Sequence, residues 1–93
     1  MYQLTYTARF KRSIKRVHKF PHFKKEELAR VLNLLQSGKK LPSSKKDHSL
    51  RGDLLGFRDC HVQNDIVLIY AVDDEAQVIE LYDIGTHSKL FES

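Results

Sequence analysis

The 93-residue sequence predicts an α+β fold in which an N-terminal strand and a two-helix hairpin pack on an antiparallel β-sheet. Three observations carry that prediction. Apolar residues recur at helical spacing between Thr7 and Gln36, three apolar runs of strand length follow Gly56, and the connections between those runs are short and polar. With 41% hydrophobic and 30% charged residues, the chain has apolar material for one modest core, and a single domain over residues 1–93 is expected to carry every function.

Tyr2 to Tyr6 reads as a short strand. Thr7 then stands at a helix N-cap ahead of Phe10, Ile14 and Val17, and Phe20-Pro21 ends that helix, because proline disfavours helical geometry in the residue before it. A second helix is predicted from about His22 to Gln36, with Leu28, Val31, Leu32 and Leu35 on one face and Gly38 in a left-handed cap. Lys39 to Asp53 is polar and rich in Lys, Ser and Pro, which reads as a basic loop. Phe57 to Val62, Ile66 to Val72 and Val78 to Ile84 then read as strands, joined through Gln63-Asn64-Asp65 and Asp73-Asp74-Glu75 into an antiparallel meander.

Charge is unevenly distributed along the chain. Residues 1–51 carry a formal +11 and residues 52–93 carry −7, which together give the net +4. A half as basic as the first can bind phosphate backbones or an acidic protein partner, and the charge alone does not choose between them. The stripe Lys11, Arg12, Lys15, Arg16 and Lys19 on the first helix is either a solvated face or a contact surface.

Several classes are excluded. No run approaches the roughly 20 apolar residues of a spanning helix, and Met1 to Phe10 lacks the pattern of a secretory signal, so a soluble cytoplasmic protein without a membrane partner is expected. Cys60 is the only cysteine, so no internal disulfide forms, and a small apolar filler in a strand is a better reading than a nucleophile.

Chemistry concentrates beyond the helices. His48 lies in the basic loop, His61 near a strand end, Asp65 at the next turn and His87 after the last strand. Histidine is the side chain best able to trade protons near neutral pH. Cleavage of RNA by attack of its own 2′-hydroxyl needs a base, an acid for the departing 5′-oxygen and positive charge for the crowded phosphate. His48, Asp65 and His87 can supply the proton transfers, while Lys46, Arg58 and protonated His61 can steady the phosphate. Asp59 alternates with His61 and so leaves the same strand face, where it either orients His61 or pairs with a cation; Arg58 points to the opposite face, which weakens its case. Phe91 either anchors the core or stacks on an unpaired base beside His87. His18 and His22 bracket the break between the helices and read as surface or capping residues. A zinc site from His48, His61, Asp65 and His87 is disfavoured, because no two of the histidines have the helical four-residue spacing and no cysteine pair supports it. No metal or other cofactor is expected.

Taken together, Lys46-Asp47-His48, Leu50 with Gly52, Gly56-Phe57-Arg58-Asp59 with His61, Asp65 with Leu68-Ile69-Tyr70, and Gly85-Thr86-His87 with Leu90-Phe91 resemble the signature of YafQ-type toxins in the RelE/ParE superfamily. The match runs in order from Lys46 to Phe91. The resemblance implies a RelE-like microbial ribonuclease fold, ribosome-associated cleavage of messenger RNA, and neutralisation by a small acidic antitoxin of the DinJ or RelB kind. It also implies that His48, His61, Asp65, His87 and Phe91 form the active site, with His87 the general acid and Asp65 or His48 the base. Ser49 and Cys60 depart from relatives that carry proline and alanine there, and neither change removes a titratable group. A ParE-like gyrase poison, or a non-catalytic binding module acting through the basic helices, is the alternative, and neither needs this set of histidines and aspartates.

Overall fold

The computed structural model describes residues 1–91. Strand β1 (Gln3–Tyr6) leads into helix α1 (Ala8–Val17), where the Thr7 hydroxyl accepts the Phe10 N–H at 2.9 Å and donates to the Tyr82 carbonyl at 2.6 Å. One side chain thus caps the helix and ties its start to the last strand. Helix α2 (Lys25–Gln36) begins three residues later than the periodicity predicts. Among the described residues its N-cap, Lys24, makes no side-chain capping bond. The Gln63 side chain, from a distant turn, instead accepts the Lys24 N–H and donates to the His22 carbonyl, both at 2.8 Å. At the far end Gly38 adopts φ +72°, and the N–H groups of Gly38 and Lys39 return to the carbonyls of Leu35 and Leu34, the paired bonds of a left-handed helix cap.

The segment predicted as a basic loop contains two single-turn 3-10 helices, Ser43–Lys45 and Gly52–Leu54, and a two-residue strand β2 (His48–Ser49). Strands β3 (Arg58–Gln63), β4 (Ile66–Asp73) and β5 (Val78–Thr86) form the predicted antiparallel meander, and helix α3 (His87–Phe91), not predicted from the sequence, follows directly. The sheet order is β1-β5-β4-β3-β2. β2 extends the antiparallel part, but β1 joins β5 in parallel, so the sheet is mixed where a purely antiparallel one was expected. The reason is topological: the helical hairpin returns the chain across one face, and β1 fills the edge of β5 that the meander leaves open.

Both helices pack on that face. Phe10 and Val17 of α1, with Leu28, Val31 and Leu35 of α2, meet Cys60, Val62, Leu68, Tyr70 and Ile84 from the sheet. Cys60 is fully buried there, and burial pushes its thiol up to about 12, which leaves it protonated and inert as its apolar reading predicts. The opposite face of β3, β4 and β5 is left for chemistry.

Gly38→Ala tests the cap. A side chain at φ +72° is strained whatever space surrounds it, so the variant is expected to lose about 1 kcal/mol of unfolding free energy in urea titration. An unchanged transition midpoint would contradict the assignment.

Candidate active site

Strand register assembles the site. His48 pairs with Asp59, Asp59 with Ile69 and Ile69 with Asp83, while His61 pairs with Val67 and Val67 with Gly85. Cross-strand partners share a face, so His48, Asp59 and His61 all stand on the side away from the helices. Helix α3 brings in the third histidine. Leu90 packs over Gly85, and the His87 and Phe91 rings lie 4.8 Å apart, one helical turn from each other. Phe91 is half-buried against His87 rather than sunk in the core.

Asp59 is the centre of this cluster. Its side chain is 3% exposed, and its Oδ1 has no hydrogen-bond partner among the described residues. Burial holds the carboxyl above the usual carboxylate range, and the nearby His48, His61 and His87 each pull in the opposite direction. An under-solvated carboxylate thus lies close to three histidines.

The orientation of His48 is set by two neighbours. Its Nδ1 lies 2.8 Å from the Lys46 carbonyl and 2.9 Å from Asp59 Oδ1. A carbonyl can only accept, so the proton sits on Nδ1 and is aimed at Lys46; the Asp59 contact has no hydrogen-bond geometry and is an ion pair only when the ring is protonated. Nε2 is then the basic nitrogen of the neutral ring, on a side chain that is 57% exposed.

The loop carrying His48 is pinned from below by alternate residues. Lys45 Nζ donates to Glu27 at 2.8 Å and to the Val62 carbonyl at 2.9 Å. Asp47 accepts two bonds from Arg58, at 3.2 and 3.1 Å, and one from the Tyr70 hydroxyl. Burial and the Asp47 charge raise the Tyr70 pKa, which keeps the hydroxyl a donor. Lys46, at φ +52°, turns the opposite way and is exposed beside His48. The alternation of Lys45 and Asp47 with Lys46 and His48 was visible in the sequence, but a lysine-rich stretch read as loop gave no reason to use it.

Two sequence expectations change here. Arg58, considered for the phosphate, is committed to Asp47 and, through a 2.8 Å bond, to Ser49; its alternation with His61 places it on the helix side. Asp65 is not joined to His61 among the described residues, because a register shift between His61 and Gln63 turns the chain before it. It lines a cavity with His22 and Lys24. Ile66 pairs with Thr86, however, so Asp65 and His87 flank the same pair at one end of the sheet. His18 and His22 lie away from this face: His18 packs edge-on against Phe23, and the His22 carbonyl accepts from Gln63.

The family described as bacterial toxin of type II toxin–antitoxin system, YafQ, matches residues 2–92 of this chain. The chain belongs to the YafQ family. Its sequence is 33% identical over 89 residues to the mRNA interferase toxin YafQ of Escherichia coli K12, covering 95% of this chain and 94% of that one. Among solved structures, YafQ from E. coli BL21(DE3) superposes with a TM-score of 0.87 at 30% identity, covering 98% of this chain and 99% of that one. A copper-bound mutant toxin from Helicobacter pylori gives 0.88 at 30% identity, covering 98% and 100%. The toxin chain of the E. coli DinJ–YafQ complex gives 0.84 at 32% identity, covering 98% and 99%. The α+β fold of this YafQ-family toxin is therefore that of experimentally determined relatives, mixed sheet included. Among its described residues no group of three or more His, Cys, Asp and Glu is placed to hold a metal ion, and no helix is long and apolar enough to cross a membrane.

Asp59→Asn tests the electrostatics. A carboxyl whose folded pKa is raised stabilises the fold fully below its unfolded pKa, and that stabilisation is lost as pH rises through the folded pKa. At pH 7 the wild type therefore bears the cost of an ionised, buried group that the amide variant lacks. The variant is expected to melt a few degrees higher at pH 7, with the difference closing below about pH 4. A lower melting point at pH 7 would show that the ion pair with His48 outweighs the desolvation.

Proposed function

We propose that this YafQ-family toxin is an endoribonuclease that cuts messenger RNA by general acid–base catalysis from its own side chains, with no metal required. The observation that carries the reading is the gathering of His48, His61 and His87 around the buried Asp59, with the basic Nε2 of His48 left exposed. The E. coli relative named as an mRNA interferase supports it.

In this reading the neutral His48 removes the proton from a ribose 2′-hydroxyl through Nε2. The 2′-oxygen forms a bond to phosphorus as the bond from phosphorus to the 5′-oxygen breaks, and His87 delivers a proton to that departing oxygen. The products are a 2′,3′-cyclic phosphate and a free 5′-hydroxyl. Protonated His61 and the exposed Lys46 balance charge on the crowded phosphate, and Phe91, beside His87, offers a ring face to an unpaired base. Asp65, at the His87 end of the sheet, is the competing base. Because DNA lacks the 2′-hydroxyl, the mechanism itself selects RNA.

We further propose that the toxin acts on messenger RNA at the ribosome, in the cytoplasm, and is neutralised by an acidic antitoxin. The solved complex of the E. coli relative with DinJ supports the antitoxin, and the +11 charge on residues 1–51 supports both classes of partner.

Wild type and His87→Ala are to be induced in bacteria and the 5′ ends of cellular messenger RNA mapped. New ends and growth arrest are expected with the wild type alone, and in vitro cleavage by the variant should fall by about 10²–10⁴-fold. Growth arrest by both proteins, without cuts, would overturn the catalytic reading in favour of a binding module. His48→Ala separates the two base candidates, since full activity in that variant would leave Asp65.

A further inference from the structure

A cavity of about 360 Å³ opens between α1 and the C-terminal end of β5. It exists because β1 is only four residues long: β1 pairs with β5 as far as Leu81, after which the chain turns into α1 and the edge of β5 is left without a neighbouring strand. Arg9, Arg12, Arg16 and Lys89 line the cavity, together with Phe20 and Asp83. Among the described residues none of those four cations forms an ion pair. Arg9 instead lies over the Tyr82 ring, 5.4 Å from its centre, and Arg16 reaches Ser13 at 3.3 Å.

The basic stripe of α1 is sorted by residue type. All three arginines of the helix face the cavity, whereas Lys11 and Lys15 do not line it. A guanidinium presents a flat fork of donors that matches a phosphate, while an ammonium acts as a point charge. The arrangement therefore suits a ligand bearing phosphates rather than a diffuse field.

Two other residues narrow the ligand. Phe20 is 38% exposed, an open ring face on which a base can stack. Asp83 is 8% exposed; its Oδ1 accepts the Ile84 N–H at 2.8 Å, and the carboxylate adds an acceptor to the cavity wall. That acceptor suits the N–H donors of a nucleobase edge. Thr86 also lines the cavity and precedes His87, so the opening lies beside the proposed general acid.

We propose that this cavity is a subsite for a single-stranded RNA, taking its phosphates on Arg9, Arg12, Arg16 and Lys89 and one of its bases between Phe20 and Asp83. It rests on the nuclease reading for the identity of the strand and adds where that strand runs beyond the scissile bond. The α1 arginines act in binding; the bond is broken at the histidine face.

The test uses the full chain and a fluorescein-labelled 2′-O-methyl RNA of about ten nucleotides, which binds but cannot be cut by its own 2′-oxygen. Anisotropy titrations compare the wild type with Arg12→Gln/Arg16→Gln and with Lys11→Gln/Lys15→Gln, which removes equal charge from the outer face. All four positions are exposed, and circular dichroism confirms that the variants fold. The arginine pair is expected to weaken binding about tenfold and to lower the slope of log affinity against log salt by about 1.4, whereas the lysine pair costs about twofold or less. Equal losses from both pairs, or none from the arginine pair, would overturn the subsite. So would an oligo-glutamate peptide that binds through Arg12 and Arg16 where the oligonucleotide does not. The two readings fail separately: cutting by the wild type with no arginine-dependent binding removes the subsite alone, and arginine-dependent binding without any cutting removes the nuclease alone.

Discussion

Strand β4 is buried on both faces, and the rest of the molecule is arranged by that constraint. Ile66, Val67, Leu68, Ile69 and Tyr70 are each 2% exposed or less, so the strand tolerates no slip that would carry any of them to solvent. Burying an Ile, Leu or Val completely contributes about 1.5–3 kcal/mol, and a one-residue shift of a neighbouring strand would exchange its core side chains for its polar ones. The registers of β3 and β5 are thereby set. Asp59 and His61 then face away from the helices while Arg58, Cys60 and Val62 face toward them, and the polypeptide between β2 and β3 is bound to follow.

Two aspartates on opposite sides of the sheet show how this arrangement handles charge. Asp47, on the helix side, is surrounded by the Arg58 fork and the Tyr70 hydroxyl, and it serves as the anchor that holds the His48 loop against the sheet. Asp59, on the other side, is more deeply buried yet keeps an oxygen without a hydrogen bond among the described residues. Unsatisfied buried carboxylates are costly, and this one is carried by the packing of the strands on either side of it. Its field acts on three histidines that differ in their own supports. His48 is held by a backbone carbonyl, His61 by a strand, and His87 by a short helix docked over Gly85. The three rings thus surround one charge from separate supports.

The electrical asymmetry of the chain also resolves into distinct surfaces. Part of the basic half is spent internally, since Lys45 binds Glu27 and a carbonyl, and Arg30 also pairs with Glu27. Helix α1 divides the remainder into an arginine side along the edge of β5 and a lysine side turned away from it. The acidic half is divided as well, between buried Asp59 and Asp83 and the exposed turns around Asp73 to Glu75.

Sequence alone determined the elements whose causes are local. The Thr7 cap, the break at Phe20-Pro21, the Gly38 cap and the three meander strands depend on residues within a few positions of one another, and the ordered motifs from Lys46 to Phe91 were enough to point to the YafQ family. Tertiary structure decided whatever depends on distant partners. The start of α2 waits on Gln63 from the β3–β4 turn, β1 runs parallel because β5 has an open edge, and α3 forms where Leu90 can cover Gly85. In the candidate site the histidines were legible as residue types, and the face shared by Asp59 and His61 followed from alternation. The depth at which Asp59 is buried, the transfer of Arg58 to Asp47 and the separation of Asp65 from His61 were not legible, because each is set by strand register and by contacts across the sheet.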